Sequence, residues 1–112
     1  MALITLTKEE FQAYSDQVSS RSFMQSVQMG DLLEKRGARI VYLALKQEGE
    51  IQVASLVYSL PMLGGLHMEL NSGPIYTQQD ALSVFYAELK EYAKQNGALE
   101  LIVKPYETYQ TF

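Results

Sequence analysis

Polar side chains beside a sharp chain break are the residues of this sequence best suited to contact a ligand. Asn71 and Ser72 follow an extended apolar run and precede Gly73-Pro74, which ends the run because glycine frees φ while proline fixes its own and lacks an N–H. A strand's carboxyl end, where a crossover helix follows, commonly borders a ligand cleft. The same amide and hydroxyl could instead cap the next helix, and turn chemistry alone explains the glycine and the proline.

Groups with stronger intrinsic reactivity are scarce. The chain has no cysteine and a single histidine, so neither a thiolate nucleophile nor a sulfur-ligated metal site is predicted. His67 alternates with Leu66 and Met68 in a strand pattern, which favours a structural or solvent-facing role, and no nucleophile-elbow motif accompanies it. We therefore predict no catalytic side chain and no metal site.

The composition is that of one folded domain. A chain of 112 residues, 47% hydrophobic and 20% charged, can bury roughly 60 to 70% of its unfolded surface in one core. The net charge is −4 and the basic residues are scattered, which argues against a duplex-DNA-binding face. The sequence has no signal-peptide pattern and no apolar run of membrane-spanning length, so we expect a cytoplasmic location.

Two helices are predicted before the main strands. A short apolar strand at residues 2–6 leads into Thr7 and Glu10, which match a capping box, and apolar residues continue at helical spacing to residue 18. A second apolar stripe predicts a helix over residues 24–36. Gly30 weakens the middle of that helix, which indicates close packing or a bend.

The period then changes from 3.6 to 2 residues. This predicts a three-stranded antiparallel meander, with strands at residues 39–46, 51–58 and 66–70. The string between the second and third strands, residues 59–65, contains Pro61 and is predicted to interrupt the pairing.

A helix and a last strand complete the predicted fold. Thr77 and Asp80 repeat the capping pattern, and apolar residues recur at helical spacing towards Gly97. The strand predicted at residues 98–103 should lie parallel to residues 66–70, through a right-handed crossover. The prediction is one α+β domain spanning residues 1–112, in the order β-α-α-β-β-β-α-β, mostly antiparallel with a final parallel strand.

This succession resembles the first half of the Gcn5-related acyltransferase fold. Acetyl-coenzyme A transferases of that fold cradle pyrophosphate with a Gln/Arg-x-x-Gly-x-Gly loop at a helix start, and no such string occurs here. The resemblance therefore points to a branch of the fold that does not use coenzyme A.

Three segments are similar to landmarks of the Fem family, over residues 3–112. They are Ser22-Phe23-Met24-Gln25-Ser26, Asn71-Ser72-Gly73-Pro74 and Leu101-Ile102-Val103-Lys104-Pro105-Tyr106. Fem enzymes are aminoacyltransferases that attach an amino acid from a charged tRNA to the stem-peptide branch of a peptidoglycan precursor. Within the family, the sequence looks most like the streptococcal enzyme that adds the second residue of the branch, usually alanine.

The resemblance implies a site and partners. The implied substrate-binding residues are Gln25, Ser26, Asn71, Ser72, Lys104 and Tyr106, although Gln25 and Ser26 also suit a simple helix start. Aminoacyl-tRNA would be the co-substrate and no cofactor is expected. The chain would be the N-terminal portion of a larger enzyme, inactive alone, that meets a lipid-linked muropeptide at the inner membrane face and binds tRNA through parts absent here.

The sequence departs from the family pattern at its charged positions. Family members often carry lysine where this chain has Leu33, arginine or lysine at Ser72, and aspartate at Lys104. Leu33 cannot contact a precursor phosphate, and a carboxylate base at position 104 is excluded. A cationic contact from Lys104 to a phosphate or carboxylate is the hypothesis that replaces it.

Two alternative functions remain open. If the chain ended here, the last strand would be an unprotected sheet edge, which would favour a non-catalytic binding module that pairs or swaps into a homodimer. A coenzyme A-dependent N-acetyltransferase is the other alternative.

Overall fold

The computed structural model describes residues 2–18 and 25–104. Its strands are β1 (Ala2–Leu6), β2 (Arg39–Gln47), β3 (Glu50–Met62), β4 (Gly65–Asn71), β5 (Ile75–Tyr76) and β6 (Ala98–Lys104). Its helices are α1 (Lys8–Ser15), α2 (Val27–Lys35) and α3 (Leu82–Gln95), and a 3-10 turn at Gln79–Ala81 precedes α3. The predicted element order is confirmed, and the short strand β5 is an addition to it.

All the strands join one sheet, in the order β1-β2-β3-β4-β6, with β5 beside β3. Neighbouring strands are antiparallel except β4 and β6, which are parallel, as predicted. Strands β4 and β5 share one side of β3 but pair with different parts of it, at residues 58–62 and 53–54. Residues 55–57 of β3 therefore have no strand partner on that side among the described residues, and we call this stretch the strand gap.

The two faces of the sheet carry separate cores because successive side chains on a strand point to opposite faces. Helix α3 covers one face, where Phe85 and Leu89 pack against Leu43, Val57 and other apolar residues. Helices α1 and α2 cover the other face, where the rings of Phe11 and Tyr42 stack with centroids 4.7 Å apart.

Gly30 of α2 packs directly against this second core. A Cβ atom built on Gly30 would overlap the hydroxyl of Tyr42 and lie 3.2 Å from the Ile40 side chain. The close-packing reason predicted for this glycine is confirmed, since no larger side chain fits between α2 and β2.

Both early helices begin at a side-chain cap. Thr7 and Glu10 form the predicted capping box, in which each side chain accepts a hydrogen bond from the other's backbone N–H. Helix α1 ends at Ser15 rather than at residue 18, because Gln17 and Val18 bond three residues back and tighten the chain into a 3-10 turn. Helix α2 begins at Val27, after the Ser26 side chain accepts from the Met29 N–H.

The predicted interruption of the meander at residues 59–65 is wrong. Strand β3 continues through Pro61 to Met62, and only residues 63–64 form the turn. Strand β2 begins at Arg39, which lies opposite Ser59. Pro61 lies beyond this first pair, so it needs no N–H partner on the β2 side and the sheet tolerates it.

The second capping box does not form. Thr77 continues the β5 pairing, because its backbone N–H donates to the Gln52 carbonyl, while its hydroxyl contacts the Tyr14 hydroxyl at 3.1 Å and the Ile51 carbonyl at 3.4 Å. Helix α3 begins instead through the 3-10 turn, whose N-cap residue Gln78 makes no side-chain cap bond.

Candidate functional site

The candidate site is the turn that carries the chain from β4 to β5. Ser72 has a positive φ of 60°, and the peptide bond between Gly73 and Pro74 is cis. Both Gly73 and Pro74 are buried, and Ser72 is 6% exposed. The Ser72 N–H donates to the Lys104 carbonyl at 2.6 Å, so the end of β6 fixes one side of the turn.

Gln25 fixes the other side of the turn by filling the strand gap. Its Oε1 accepts from the Leu56 N–H at 2.7 Å and from the Ser55 hydroxyl at 3.2 Å. Its Nε2 donates to the Leu56 carbonyl at 3.2 Å and to the Asn71 carbonyl at 2.9 Å. The carboxamide thus pairs with both backbone groups of Leu56, as a peptide group of a neighbouring strand would.

Both donors of the Gln25 amide and one acceptor lone pair are bound to the backbone, and the single Ser55 hydroxyl proton is shared between Gln25 Oε1 and the Leu56 carbonyl. The side chain is 1% exposed. The geometry therefore favours support of the turn over the predicted direct contact. Ser26 is likewise engaged as the N-cap of α2.

Gly73 packs onto this carboxamide. A Cβ atom built on Gly73 would lie 2.7 Å from Cδ and 2.8 Å from Cγ of Gln25, well inside the 3.5–4.0 Å separation of carbon atoms in contact. Position 73 therefore requires glycine because the Gln25 side chain lies against its Cα. This reason adds to the turn chemistry seen in the sequence.

Lys104 and Asn71 lie side by side where β4 and β6 end. They are register partners in the parallel ladder, and the Ser72 hydroxyl donates to the Asn71 Oδ1 at 3.1 Å. The Lys104 side chain is 46% exposed, and its Nζ lies 3.7 Å from Oε2 of Glu69. The structure thus brings Asn71, Ser72 and Lys104 together, while the predicted contact Tyr106 lies outside the described residues.

A polar cluster that sequence reasoning missed adjoins these residues. The buried carboxylate of Glu69 accepts from the Tyr58 hydroxyl and contacts His67 Nε2 at 3.1 Å. His67 Nδ1 lies 3.1 Å from the Glu100 carboxylate. Through Lys104, the cluster links β3, β4 and β6 on the face opposite α3.

The contacts within the cluster shift the pKa values of Glu69 and His67 in opposite directions. Burial acts to raise the pKa of Glu69, but hydrogen bonds from Tyr58 and His67, with the Lys104 charge, outweigh it and lower that pKa. Hydrogen bonds to Glu69 and Glu100 raise the pKa of His67. Both shifts favour the charged form, a carboxylate for Glu69 and an imidazolium for His67.

Register arithmetic could have found this cluster. A two-residue turn at Leu63-Gly64 places Tyr58 opposite Glu69, and residues 67 and 69 share a face of β4. The expected interruption of β3 at Pro61 hid this pairing. No comparable signal exists for Gln25, whose partners are 30 to 46 residues away.

The sequence model of the FemAB family matches residues 6–112. The chain therefore belongs to the FemAB family. Among curated proteins, it is similar to the aminoacyltransferase FemA of Staphylococcus aureus, with 29% identity over 98% of this chain and 27% of that protein. This FemAB chain thus spans about a quarter of the length of the curated relatives that it matches.

Solved structures share the fold. The crystal structure of FemX matches 91% of this chain and 27% of its own, with a TM-score of 0.75 and 20% identity. A ribosomal-protein-alanine N-acetyltransferase from Brucella melitensis matches with a TM-score of 0.62 and 17% identity, over 94% of this chain and 80% of its own. The predicted acetyltransferase-like fold is confirmed.

Leu33, which was not expected to contact a precursor phosphate, packs against the core beneath α1 and α2. Lys35 and Arg36 are exposed at the end of α2.

Within the described residues, no helix combines the length and the apolar character needed to cross a membrane.

Proposed function

We propose that this chain forms part of the precursor-binding domain of an aminoacyltransferase that builds the peptidoglycan branch. The observation that carries the proposal is the FemAB family match over residues 6–112. The aminoacyltransferase FemA, a relative over 98% of this chain, supports the reaction class.

The proposed reaction transfers an aminoacyl group, with alanine as the first candidate, from tRNA to an amine of a lipid-linked muropeptide. A neutral amine attacks an already activated ester, so positioning and deprotonation of the amine matter more than a protein nucleophile. The tRNA would bind parts of the protein outside this chain. Contact with the membrane would be peripheral, through the lipid-linked precursor.

Within this proposal, Lys104 and Asn71 contact the precursor and Gln25 supports the turn between them. The Lys104 ammonium is half-exposed at the end of β6 and suits a phosphate or carboxylate of the precursor. Ser72 contributes its backbone N–H to the turn and its hydroxyl to Asn71. Tyr106 is kept as a proposed contact.

Binding of a water-soluble muropeptide precursor, followed by NMR, tests the site. We expect chemical-shift changes centred on Asn71 and Lys104. Lys104→Ala should weaken binding about ten- to a hundredfold, since a charge-assisted hydrogen bond contributes about 1.5–3 kcal/mol. Lys46→Ala, at an exposed position on β2, is the matched control. Equal affinity of both variants would remove Lys104 from the site.

The assignment of activity has a separate test. These 112 residues should not transfer radiolabelled alanine from tRNA to the precursor by themselves, and transfer would contradict that expectation. Acetyl-coenzyme A should give no thermal shift. A true acetyl-coenzyme A site would stabilise the fold by about 2.7 kcal/mol at a hundred times its dissociation constant.

A further inference from the structure

The carboxylate of Glu69 lies between two basic side chains. Its Oε1 contacts Nε2 of His67 at 3.1 Å, and its Oε2 lies 3.7 Å from Nζ of Lys104. The second distance exceeds the roughly 2.7–3.2 Å of an N–H···O hydrogen bond, so the Lys104 ammonium is attracted to the carboxylate without donating to it. Lys104 can therefore turn towards another anion, and Glu69 competes with that anion for the ammonium.

We propose that His67 is a positioning residue for the precursor, because its protonation decides how strongly Glu69 holds the Lys104 ammonium. The proposal rests on the proposed function, in which Lys104 contacts a phosphate or carboxylate of the precursor. When His67 is an imidazolium, it shares the charge of Glu69 and leaves Lys104 to the precursor. When His67 is neutral, Glu69 has only Lys104 to balance its charge among the described residues, so it holds the ammonium more firmly.

The groups that act on His67 and Glu69 come from three strands. Nδ1 of His67 lies 3.1 Å from the Glu100 carboxylate of β6, and Glu69 accepts from the Tyr58 hydroxyl of β3. With Lys104, these are the titratable groups that act on the pair within the described part of the chain. Hydrogen bonds to Glu69 and then to Glu100 raise the pKa of His67, so its proton is lost above pH 6.5, its ordinary value.

The composition of the chain isolates this titration. His67 is the only histidine, and the sequence has no cysteine. Histidine is the side chain whose ordinary pKa lies between about pH 5 and pH 8. A change in precursor affinity over this range that disappears when His67 is replaced is therefore assigned to this residue.

Binding of the water-soluble muropeptide precursor to the 112-residue chain, followed by NMR at about pH 6 and about pH 9, tests the proposal. The wild-type affinity should fall about threefold or more between these values, since a unit charge beside Glu69 is lost. His67→Gln should bind equally at both pH values, as weakly as the wild type does at the higher one. Comparing the two chains at each pH removes any titration of the precursor itself.

Two carboxylate variants separate this role from structural support. Glu100→Gln changes a half-exposed partner of His67, so it should move the midpoint of the pH dependence to lower pH and keep its amplitude. Glu69→Gln removes the charge that competes for Lys104, so at the higher pH it should bind the precursor at least as tightly as the wild type does at the lower pH. Glu50→Gln, exposed at the start of β3, is the matched control and should change neither midpoint nor amplitude.

The outcomes separate this inference from the proposed function. Equal wild-type affinity at both pH values would overturn the positioning role of His67 and leave the proposed function in place. Weaker binding of Glu69→Gln at both pH values would mean that Glu69 supports Lys104 instead of competing for it, which contradicts the proposal. Should Glu69→Gln fail to fold, the midpoint shift in Glu100→Gln decides. If the wild type binds the precursor at neither pH, the proposed function fails and this inference fails with it.

Discussion

Replacing Gly73 by alanine tests the packing of the turn on Gln25. The added Cβ would lie 2.7 Å from Cδ of Gln25, about 1 Å closer than carbon atoms in contact allow. The carboxamide cannot move aside easily, because four hydrogen bonds hold it to Ser55, Leu56 and Asn71. Either the turn shifts or several of these bonds lengthen.

The expected cost is about 2–4 kcal/mol. Overpacking a close-packed site costs about 1–3 kcal/mol, and each buried polar group left unpaired adds about 1–3 kcal/mol. Reduced entropy of the unfolded chain returns about 0.4–1 kcal/mol. Gln25→Ala should cost about 3–5 kcal/mol by itself, because the Leu56 backbone groups of the strand gap and the Asn71 carbonyl would lose the Gln25 amide.

The double variant isolates the contact. Gln25→Ala removes the atoms that the new Cβ would meet, so Gly73→Ala should be nearly neutral in that background, giving a coupling energy of about 2 kcal/mol or more. Urea unfolding of the four proteins, followed by circular dichroism, measures it. Gly30→Ala, which contacts Tyr42 rather than Gln25, should be additive with Gln25→Ala. Additivity of Gly73→Ala as well would refute the proposed contact.

Three further perturbations follow from the structure. Tyr42→Phe should be neutral or slightly stabilising, because the buried hydroxyl has no hydrogen-bond partner among the described residues. The same substitution should relieve much of the destabilisation caused by Gly30→Ala. The midpoints of urea unfolding measure both effects. The pKa of His67 is raised in the folded state, so the contribution of His67 to stability should be fully present below pH 6.5 and be lost as the pH rises through the raised value. His67→Gln should remove that part of the pH dependence. Thr7→Ala should lower the free energy of unfolding by about 0.5–2 kcal/mol through loss of the cap, and an unchanged melting temperature would count against the capping box.

The long periodic helices and strands could be predicted from the sequence. The two-residue strand and the helix start at Thr77, where two structures compete for the same residue, could not. The meander, α3 and the parallel β6 follow from hydrophobic period and crossover rules. Strand β5 has only two residues, too few to show a period. Thr77 begins a string that matches a capping box, yet its N–H is already used by Gln52 of β3, and only the tertiary pairing decides between these uses.

Part of the candidate site was open to prediction for the same reason. Asn71, Ser72 and Lys104 end strands that the crossover rule places side by side, so their proximity follows from topology. The role of Gln25 could not be predicted in this way. A side chain that pairs with the backbone of a distant strand produces no recognisable pattern in the sequence around it. Glu69 and Tyr58 fall between these cases, since correct placement of the turn at residues 63–64 would have paired them.

The carboxamide of Gln25 has a consequence for the modularity of this fold. Because a residue ahead of α2 completes the hydrogen bonding of β3, a β3–β4–β5 segment transplanted without it would carry an open peptide pair at Leu56 and an unsupported turn. Circular permutation that keeps residue 25 should preserve the turn, whereas an excised sheet should not. The shortest segment that can keep the turn supported must therefore include Gln25, which precedes α2, in addition to the strands around the turn.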